Sequence, residues 1–235
     1  MDFRLFCALF LGKLIHFLLK IKGSGATAAP GLIALKIDPD LVSKLSNKLK
    51  FGSLIITGTN GKTTTSRLVS EMLKDKYNII NNRQGSNLMR GIASTLVSKF
   101  NLFAKSNCNL GIWEVDEAVV AQAAKFIKPK AILFLNLFRD QLDRYGEVET
   151  VRSNWISLVK NLNQNSLLIL NADDPGVYSL KKEARAKTLT FGLEDETINL
   201  PQTINKSDIK HCPVCFSKLV YSINYASHLG KYFCT

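Results

Sequence analysis

The stretch Leu54–Thr65 reads LIITGTNGKTTT, and its order of parts decides the fold. A short run of strand character enters the turn Gly58-Thr59-Asn60-Gly61, and Lys62 and three threonines then open a helix. This is the layout of a phosphate-binding P-loop. Backbone N–H groups of the turn cradle phosphates, the lysine reaches the outer phosphates, and the first threonine hydroxyl ligates Mg²⁺. The expected cradle is Gly58, Thr59, Asn60 and Gly61, with Lys62 on the phosphates, Thr63 on the metal and Thr64 carrying the helix dipole toward the anion. Ile56 stands where the general pattern has its first glycine, so the match is to the shorter TGTNGKTTT form. A purely structural Gly/Thr turn is the competing reading. ATP or a close relative is the expected ligand.

Outward from this loop, periodicity gives alternating strands and helices. Strands are expected at Leu54–Thr57, Asn78–Ile80, Leu110–Val115, Ala131–Asn136, Leu167–Asn171 and Lys187–Phe191. Helices are expected over Thr64–Lys74, Leu88–Phe100, Glu117–Phe126, Val148–Asn161 and Val177–Ala184. Such alternation specifies an α/β fold, a mostly parallel sheet with helices on both faces. Ligands of such sheets bind at the carboxyl ends of the strands.

Those strand ends are rich in polar groups. Ile112-Trp113-Glu114-Val115-Asp116-Glu117 places three acids in four residues, and Mg²⁺ takes oxygen ligands. Glu114, at the strand end itself, is the expected metal carboxylate. Asp116 and Glu117 read equally well as further ligands or as the acidic first turn of the next helix. The run Asn136–Gly146, NLFRDQLDRYG, joins acids, arginines and amides beyond another strand, and Asn136 and Asp140 are its expected nucleotide contacts. A salt-bridged surface loop is the alternative. Asn171-Ala172-Asp173-Asp174-Pro175 repeats the arrangement, although Asn, Asp and Pro are also ordinary turn formers.

The chain has 235 residues and a net charge of +12, with the basic residues scattered along it. Nucleic acid, an anionic membrane face, a phosphate-bearing substrate and a plain solvated surface all suit that charge, and no nucleic-acid-binding module signature is present. The N-terminal segment MDFRLFCALFLGKLIHFLLKIKG has a weak basic start and no small-residue cleavage site, which argues against export. Its uncharged run, Leu5–Gly12, falls well short of the roughly 20 residues that span a bilayer. It reads either as an amphipathic helix packed on the domain or as an interfacial helix on a membrane surface.

Of five cysteines, Cys7 and Cys108 stand alone. Cys212-Pro213-Val214-Cys215 and the later Cys234 follow zinc-ribbon spacing, in which two knuckles meet on one tetrahedral Zn²⁺. The spacing puts the fourth cysteine just beyond Thr235, so the sequence reads as a fragment; His228 is the alternative fourth ligand.

With these residues assembled, TGTNGKTTT and the EVDEA strand end resemble the Mur ligase superfamily, ATP-dependent amide-forming enzymes of cell-wall and folate synthesis. GSGATAAPG at Gly23–Gly31, NRQGSNLMRGIAS at Asn82–Ser94, NLFRDQLDRYGE at Asn136–Glu147, LNADDP at Leu170–Pro175 and YASHLGKYFC at Tyr225–Cys234 are similar to its MurT branch, the ligase subunits of lipid II isoglutaminyl synthases. The resemblance implies a Mur ligase central domain over 51–200, preceded by a helical or linker segment over 1–50. An inserted, incomplete Cys₄-type zinc ribbon follows over 201–235, without the family's C-terminal domain. It implies ATP, Mg²⁺ and Zn²⁺ as cofactors and a GatD-type glutamine amidotransferase as partner in a heterodimer. The implied substrate is lipid II at the inner face of the cell membrane, with no nucleic acid involved. The implied reaction is amidation of the D-glutamate α-carboxylate to D-isoglutamine through an acyl phosphate.

Under this resemblance Lys62 and Glu114 are the catalytic residues, Thr63 and Glu114 hold Mg²⁺, and Cys212, Cys215 and Cys234 hold Zn²⁺. Gln141 replaces a histidine that serves a second metal in other Mur ligases, and Arg83 and Asn87 are candidates for the substrate's peptide stem. The fragment alone is expected to bind nucleotide weakly and not to catalyse amidation. Three other readings are an amino-acid-adding Mur ligase or folylpolyglutamate synthase, a nucleic-acid-binding zinc-ribbon ATPase, and a non-catalytic P-loop scaffold.

Overall fold

A computed structural model describes residues 2–21, 28–82, 87–138, 147–198 and 211–235. The chain divides into two compact units, Met1–Ile56 with Gly61–Ala131, and Thr57–Asn60 with Ile132–Thr235.

The first unit opens with helices α1 (Phe3–Ile21), α2 (Ala29–Ile37) and α3 (Leu41–Ser46). Pro30 lies in the first turn of α2, where its missing N–H leaves no helical bond unmade. Gly31 follows because α2 crosses α5 (Met89–Lys99) at backbone contact. The Gly31 N–H donates to Ser94 Oγ at 2.7 Å, and a Cβ at Gly31 would collide with Arg90 O and Ser94 N. Parallel strands β1 (Ser53–Thr57), β2 (Ile79–Asn81) and β3 (Leu110–Glu114) run in the order β2-β3-β1, with Ile55 opposite Trp113 and Ile80 opposite Gly111. Successive residues Ile55 and Ile56, and Ile112 and Trp113, are all fully buried. Neighbouring strand residues point to opposite faces, so both faces of these strands are covered. Helices α4 (Lys62–Leu73) and α6 (Val120–Ile127) complete the unit.

The second unit carries β4 (Ala131–Phe134), β5 (Leu167–Asn171) and β6 (Lys187–Phe191) in that order, with β5 and β6 parallel. Helix α7 (Glu147–Asn161) buries Trp155, whose ring meets Phe134 at 4.7 Å between centroids. Helix α8 (Pro175–Tyr178) runs into a 3₁₀ turn at Ser179–Glu183. Strands β7 (Leu219–Ala226) and β8 (Leu229–Cys234) form a separate antiparallel hairpin.

The α/β class with parallel strands and flanking helices is what the sequence pattern specifies, and β5 and β6 occupy their expected residues. Other boundaries move for local reasons. Helix α4 begins at Lys62 rather than Thr64, because Gly61, at φ +84°, already turns the chain into it. Helix α6 starts at Val120 rather than Glu117. Asp116 first closes a turn, with its carboxylate accepting from the Ala118 N–H at 3.0 Å and its carbonyl from the Val119 N–H at 3.1 Å. Strand β4 stops at Phe134, two residues before Asn136, whose side chain bonds the Asn60 backbone. Among the described residues no helix is long and apolar enough to cross a membrane.

Candidate nucleotide and metal sites

In the first unit, β3 delivers Glu114 to its carboxyl end, only 8% exposed. Asn82, just past β2, clamps the Glu114 backbone: the Glu114 N–H donates to Asn82 Oδ1 at 2.9 Å, and Asn82 Nδ2 donates to Glu114 O at 2.7 Å. The carboxylate so fixed accepts a hydrogen bond from Thr63 Oγ1 at 2.8 Å. Beside it Lys62 Nζ forms an ion pair with Glu117 Oε2 at 3.1 Å. A threonine hydroxyl and a carboxylate are hard oxygen donors, the set Mg²⁺ selects, so Thr63 and Glu114 fit that ion. Helix α4 starts on a glycine, which offers no side-chain cap, and has no acidic residue in its first turn. Its leading N–H groups and dipole therefore favour an anion near Lys62, Thr63 and Thr64.

In the second unit, the turn Gly58–Asn60 is pinned to the chain just beyond β4. The Thr59 N–H donates to Asn136 O at 3.0 Å. Asn136 then brackets Asn60, accepting from its N–H on Oδ1 at 2.9 Å and donating from Nδ2 to its carbonyl at 3.1 Å. Thr59 Oγ1 accepts from the Phe138 N–H at 2.9 Å. A Cβ on Gly58, at φ +143°, would press to 2.9 Å from both Asn136 N and Asn136 O, so only glycine fits this close approach. Asn136 thus holds the turn's shape. Asp140 and Gln141 lie outside the described residues, as does Arg83; the Asn87 carbonyl accepts from the Asp116 N–H at 3.0 Å.

The same unit holds the cysteine cluster. Cys212, Cys215 and Cys234 bring their sulfurs within 4.8 Å of one another, a group able to hold a metal ion. A tight turn makes this arrangement: the Cys212 N–H donates to Ser217 O at 2.8 Å, and the Phe216 N–H returns a bond to Cys212 O at 2.9 Å. Register pairing of Cys234 with Leu219 then sets β8 beside that turn. A hydrogen bond with Ser217, whose Oγ lies 3.5 Å from Cys215 Sγ, holds the Cys215 thiol down to about 7. Hydrogen bonds with Cys212 and Cys215, together with burial, push Cys234 up to about 12. Three cysteine sulfurs in reach of one another match the donor chemistry of a structural zinc site. His228, the alternative fourth ligand, is engaged elsewhere. Its Nε2 lies 3.1 Å from Asp174 Oδ2, both side chains being fully buried, and its ring packs on Phe138 at 4.7 Å.

Asp174 accepts further bonds. The Leu137 N–H donates to Oδ2 at 2.9 Å, and the Gly176 and Val177 N–H groups at the start of α8 donate to Oδ1 at 2.8 and 3.0 Å. Neither this pairing, nor the Asn82 clamp, nor the Lys62–Glu117 ion pair has a spacing signal in the sequence, since their members lie 54, 32 and 55 residues apart.

A model of the Mur ligase middle domain matches residues 56–230. The chain belongs to the Mur ligase middle-domain family. Among this family's curated members, the chain is 34% identical over 233 residues to the lipid II isoglutaminyl synthase (glutamine-hydrolyzing) subunit MurT of Staphylococcus aureus strain COL. That match covers 98% of this chain and 51% of the relative. With the MurT subunit of Streptococcus pneumoniae R6 the identity is 31% over 235 residues, covering 100% and 51%. The chain thus spans about half the length of the curated relatives it matches. The UDP-N-acetylmuramoylalanine–D-glutamate ligase of Pelotomaculum thermopropionicum is 30% identical over 148 residues, 60% of this chain and 29% of that one.

Mur ligase structures share the fold. A pseudomurein peptide ligase type C from Methanothermus fervidus superposes with a TM-score of 0.60 at 24% identity, over 81% of this chain and 36% of that one. MurF from Thermotoga maritima in complex with ADP does so with 0.57 at 21%, over 69% and 37%.

Proposed function

We propose that this chain is the ATP-binding portion of a ligase subunit that amidates the D-glutamate α-carboxylate of lipid II to D-isoglutamine. The observation that carries the reading is the similarity to isoglutaminyl synthase subunits over 98% of the chain, the cysteine hairpin included. In this reading 51–200 is the Mur ligase central domain, 201–235 belongs to a zinc ribbon, and ammonia comes from a GatD-type glutamine amidotransferase in a heterodimer. The enzyme works at the inner face of the cell membrane, where its lipid-linked substrate resides.

A carboxylate is a poor electrophile, because direct substitution would expel oxide. Phosphorylation by ATP makes it an acyl phosphate with release of ADP; ammonia then attacks the acyl carbon, and inorganic phosphate leaves with the oxygen that came from the carboxylate. The phosphoryl step needs positioning and charge neutralisation. Lys62 neutralises the outer phosphates after exchanging Glu117 for them. The N–H groups of Gly58–Thr64 cradle the phosphate chain, and Thr63 with Glu114 would hold Mg²⁺, which would supply neutralising positive charge there. Asn136 keeps the turn in shape, and Asp140 is a further nucleotide contact. Cys212, Cys215 and Cys234 would hold Zn²⁺ in a structural role.

The experiment is an assay of the full-length protein with a glutaminase partner, ATP, glutamine and lipid II, read by mass spectrometry. Exchange of one hydroxyl for one amino group in the product supports the reading. A mass gain equal to one amino acid would move the protein to the amino-acid-adding ligases, which share 30% identity over 60% of this chain.

A further inference from the structure

Helix α1 is apolar on two opposite faces. Leu5, Ala8, Leu9 and Gly12 form the buried one, and a Cβ on Gly12 would press to 2.9 Å from Val97 Cγ1, so this face lies hard against α5. Among the described residues the opposite side has no such cover. Phe3, Phe10, Leu14, Phe17 and Ile21 recur at i, i+7, i+11, i+14 and i+18, the spacing of one helical stripe. With Leu18 these side chains are 43% to 77% exposed. An apolar stripe of this length on one helix marks a contact surface rather than scattered exposure.

The charges around the stripe say what it meets. Helix α1 contains no Asp or Glu; its ionised side chains are Arg4 on one margin of the stripe and Lys13 and Lys20 on the other. Arg4 and Lys20 are exposed and Lys13 half-buried, in a chain of net charge +12. Asp2, just before the helix, caps its first turn and is ion-paired with Lys44. Rings and aliphatic groups bordered by Arg4, Lys13 and Lys20 complement the acyl boundary and phosphate headgroups of an anionic bilayer. The helix is too short in apolar run to cross such a bilayer.

We propose that α1 docks the protein on an anionic membrane surface. The Phe3–Ile21 stripe lies in the plane of the interface, and Arg4, Lys13 and Lys20 sit on lipid phosphates. This deepens the reading of a lipid-linked substrate by naming the surface that meets the bilayer. Its test uses neither ATP nor substrate, so either reading can fail while the other stands.

The 235-residue chain is sedimented with vesicles of phosphatidylcholine alone or of phosphatidylcholine with phosphatidylglycerol. The expected result is binding to the phosphatidylglycerol vesicles. The double variant Phe10→Ser/Phe17→Ser keeps every charge and is expected to weaken that binding about tenfold or more. Arg4→Glu/Lys20→Glu, which leaves the stripe intact, is expected to abolish the preference for phosphatidylglycerol. Circular dichroism melting of both variants at the wild-type temperature shows that the fold is kept. Wild-type protein left in the supernatant, or undiminished binding by Phe10→Ser/Phe17→Ser, would overturn the proposal. So would a vesicle-indifferent dimer that the same variant dissolves, which would make the stripe a protein interface.

Discussion

Thr63 Oγ1 donates a 2.8 Å hydrogen bond to Glu114 Oε1, joining the first turn of α4 to the end of β3. The pair is held from behind by Asn82, whose amide clamps both backbone polar groups of Glu114. Two hard oxygens in fixed register are what a bound Mg²⁺ requires of the protein. Replacing Thr63 by Val, or Glu114 by Gln, is expected to weaken Mg²⁺-dependent ATP binding by about tenfold or more, at ~1.4 kcal/mol per decade. Thr63→Ser, which keeps the hydroxyl, should bind close to wild type. Calorimetric titration of ATP with and without Mg²⁺ makes the comparison; equal affinities in all variants would remove Thr63 and Glu114 from the metal site.

Lys62 and Glu117 predict a gain rather than a loss. The lysine must leave its 3.1 Å ion pair to reach a phosphate, and both side chains are partly exposed. Glu117→Gln should therefore tighten ATP binding by about 0.5–1 kcal/mol at low salt, the scale of such a pair. Lys62→Ala should lose most of the affinity. Weaker binding by Glu117→Gln would instead mark Glu117 as a metal ligand, the other reading its sequence position allows.

Asp174 carries four hydrogen bonds, from the N–H groups of Leu137, Gly176 and Val177 and with His228, at full burial. Asp174→Ala takes the buried acceptor away from the three N–H groups and from the His228 ring, and is expected to cost about 3–5 kcal/mol of stability. Urea unfolding followed by fluorescence tests this; a loss below 1 kcal/mol, on the order of a surface substitution, would contradict it.

The cysteine cluster gives a pH-dependent expectation. In metal-stripped protein Cys215, exposed and with its thiol held down to about 7, should alkylate first with iodoacetamide. Cys234, pushed up to about 12, should lag. The thiolate is the reactive form, so the Cys215 rate should be near its plateau above neutral pH and fall as the pH drops through about 7. Added Zn²⁺ should protect all three. Peptide mass spectrometry reads each site separately.

Much of this was legible from local pattern. Leu167–Asn171 and Lys187–Phe191 form strands over their expected residues because apolar runs bounded by turn formers suffice to define them. The turn into α4 was legible for another reason, since Gly58 and Gly61 stand where positive φ favours glycine. Helix α2 was not, since 1–50 reads only as a helical or linker segment with no bounds for a helix there. In the fold Pro30 starts the helix and Gly31 admits α5, a contact that no local window contains. The Asp174–His228 pair shows the same limit, for two residues 54 apart meet only through the tertiary fold. Asp116 and Glu117 were ambiguous as neighbours in sequence, and the structure separates them: one closes its own turn while the other takes Lys62.

The most direct test of the account follows the oxygen of the substrate carboxylate. Lipid II labelled with heavy oxygen in the D-glutamate α-carboxylate is incubated with the full-length protein, its glutaminase partner, ATP and glutamine. Labelled oxygen is expected in the released inorganic phosphate, in step with amide formation on the lipid. Amide formation with unlabelled phosphate would contradict carboxylate activation by ATP, and phosphate release without amide would contradict the proposed reaction itself.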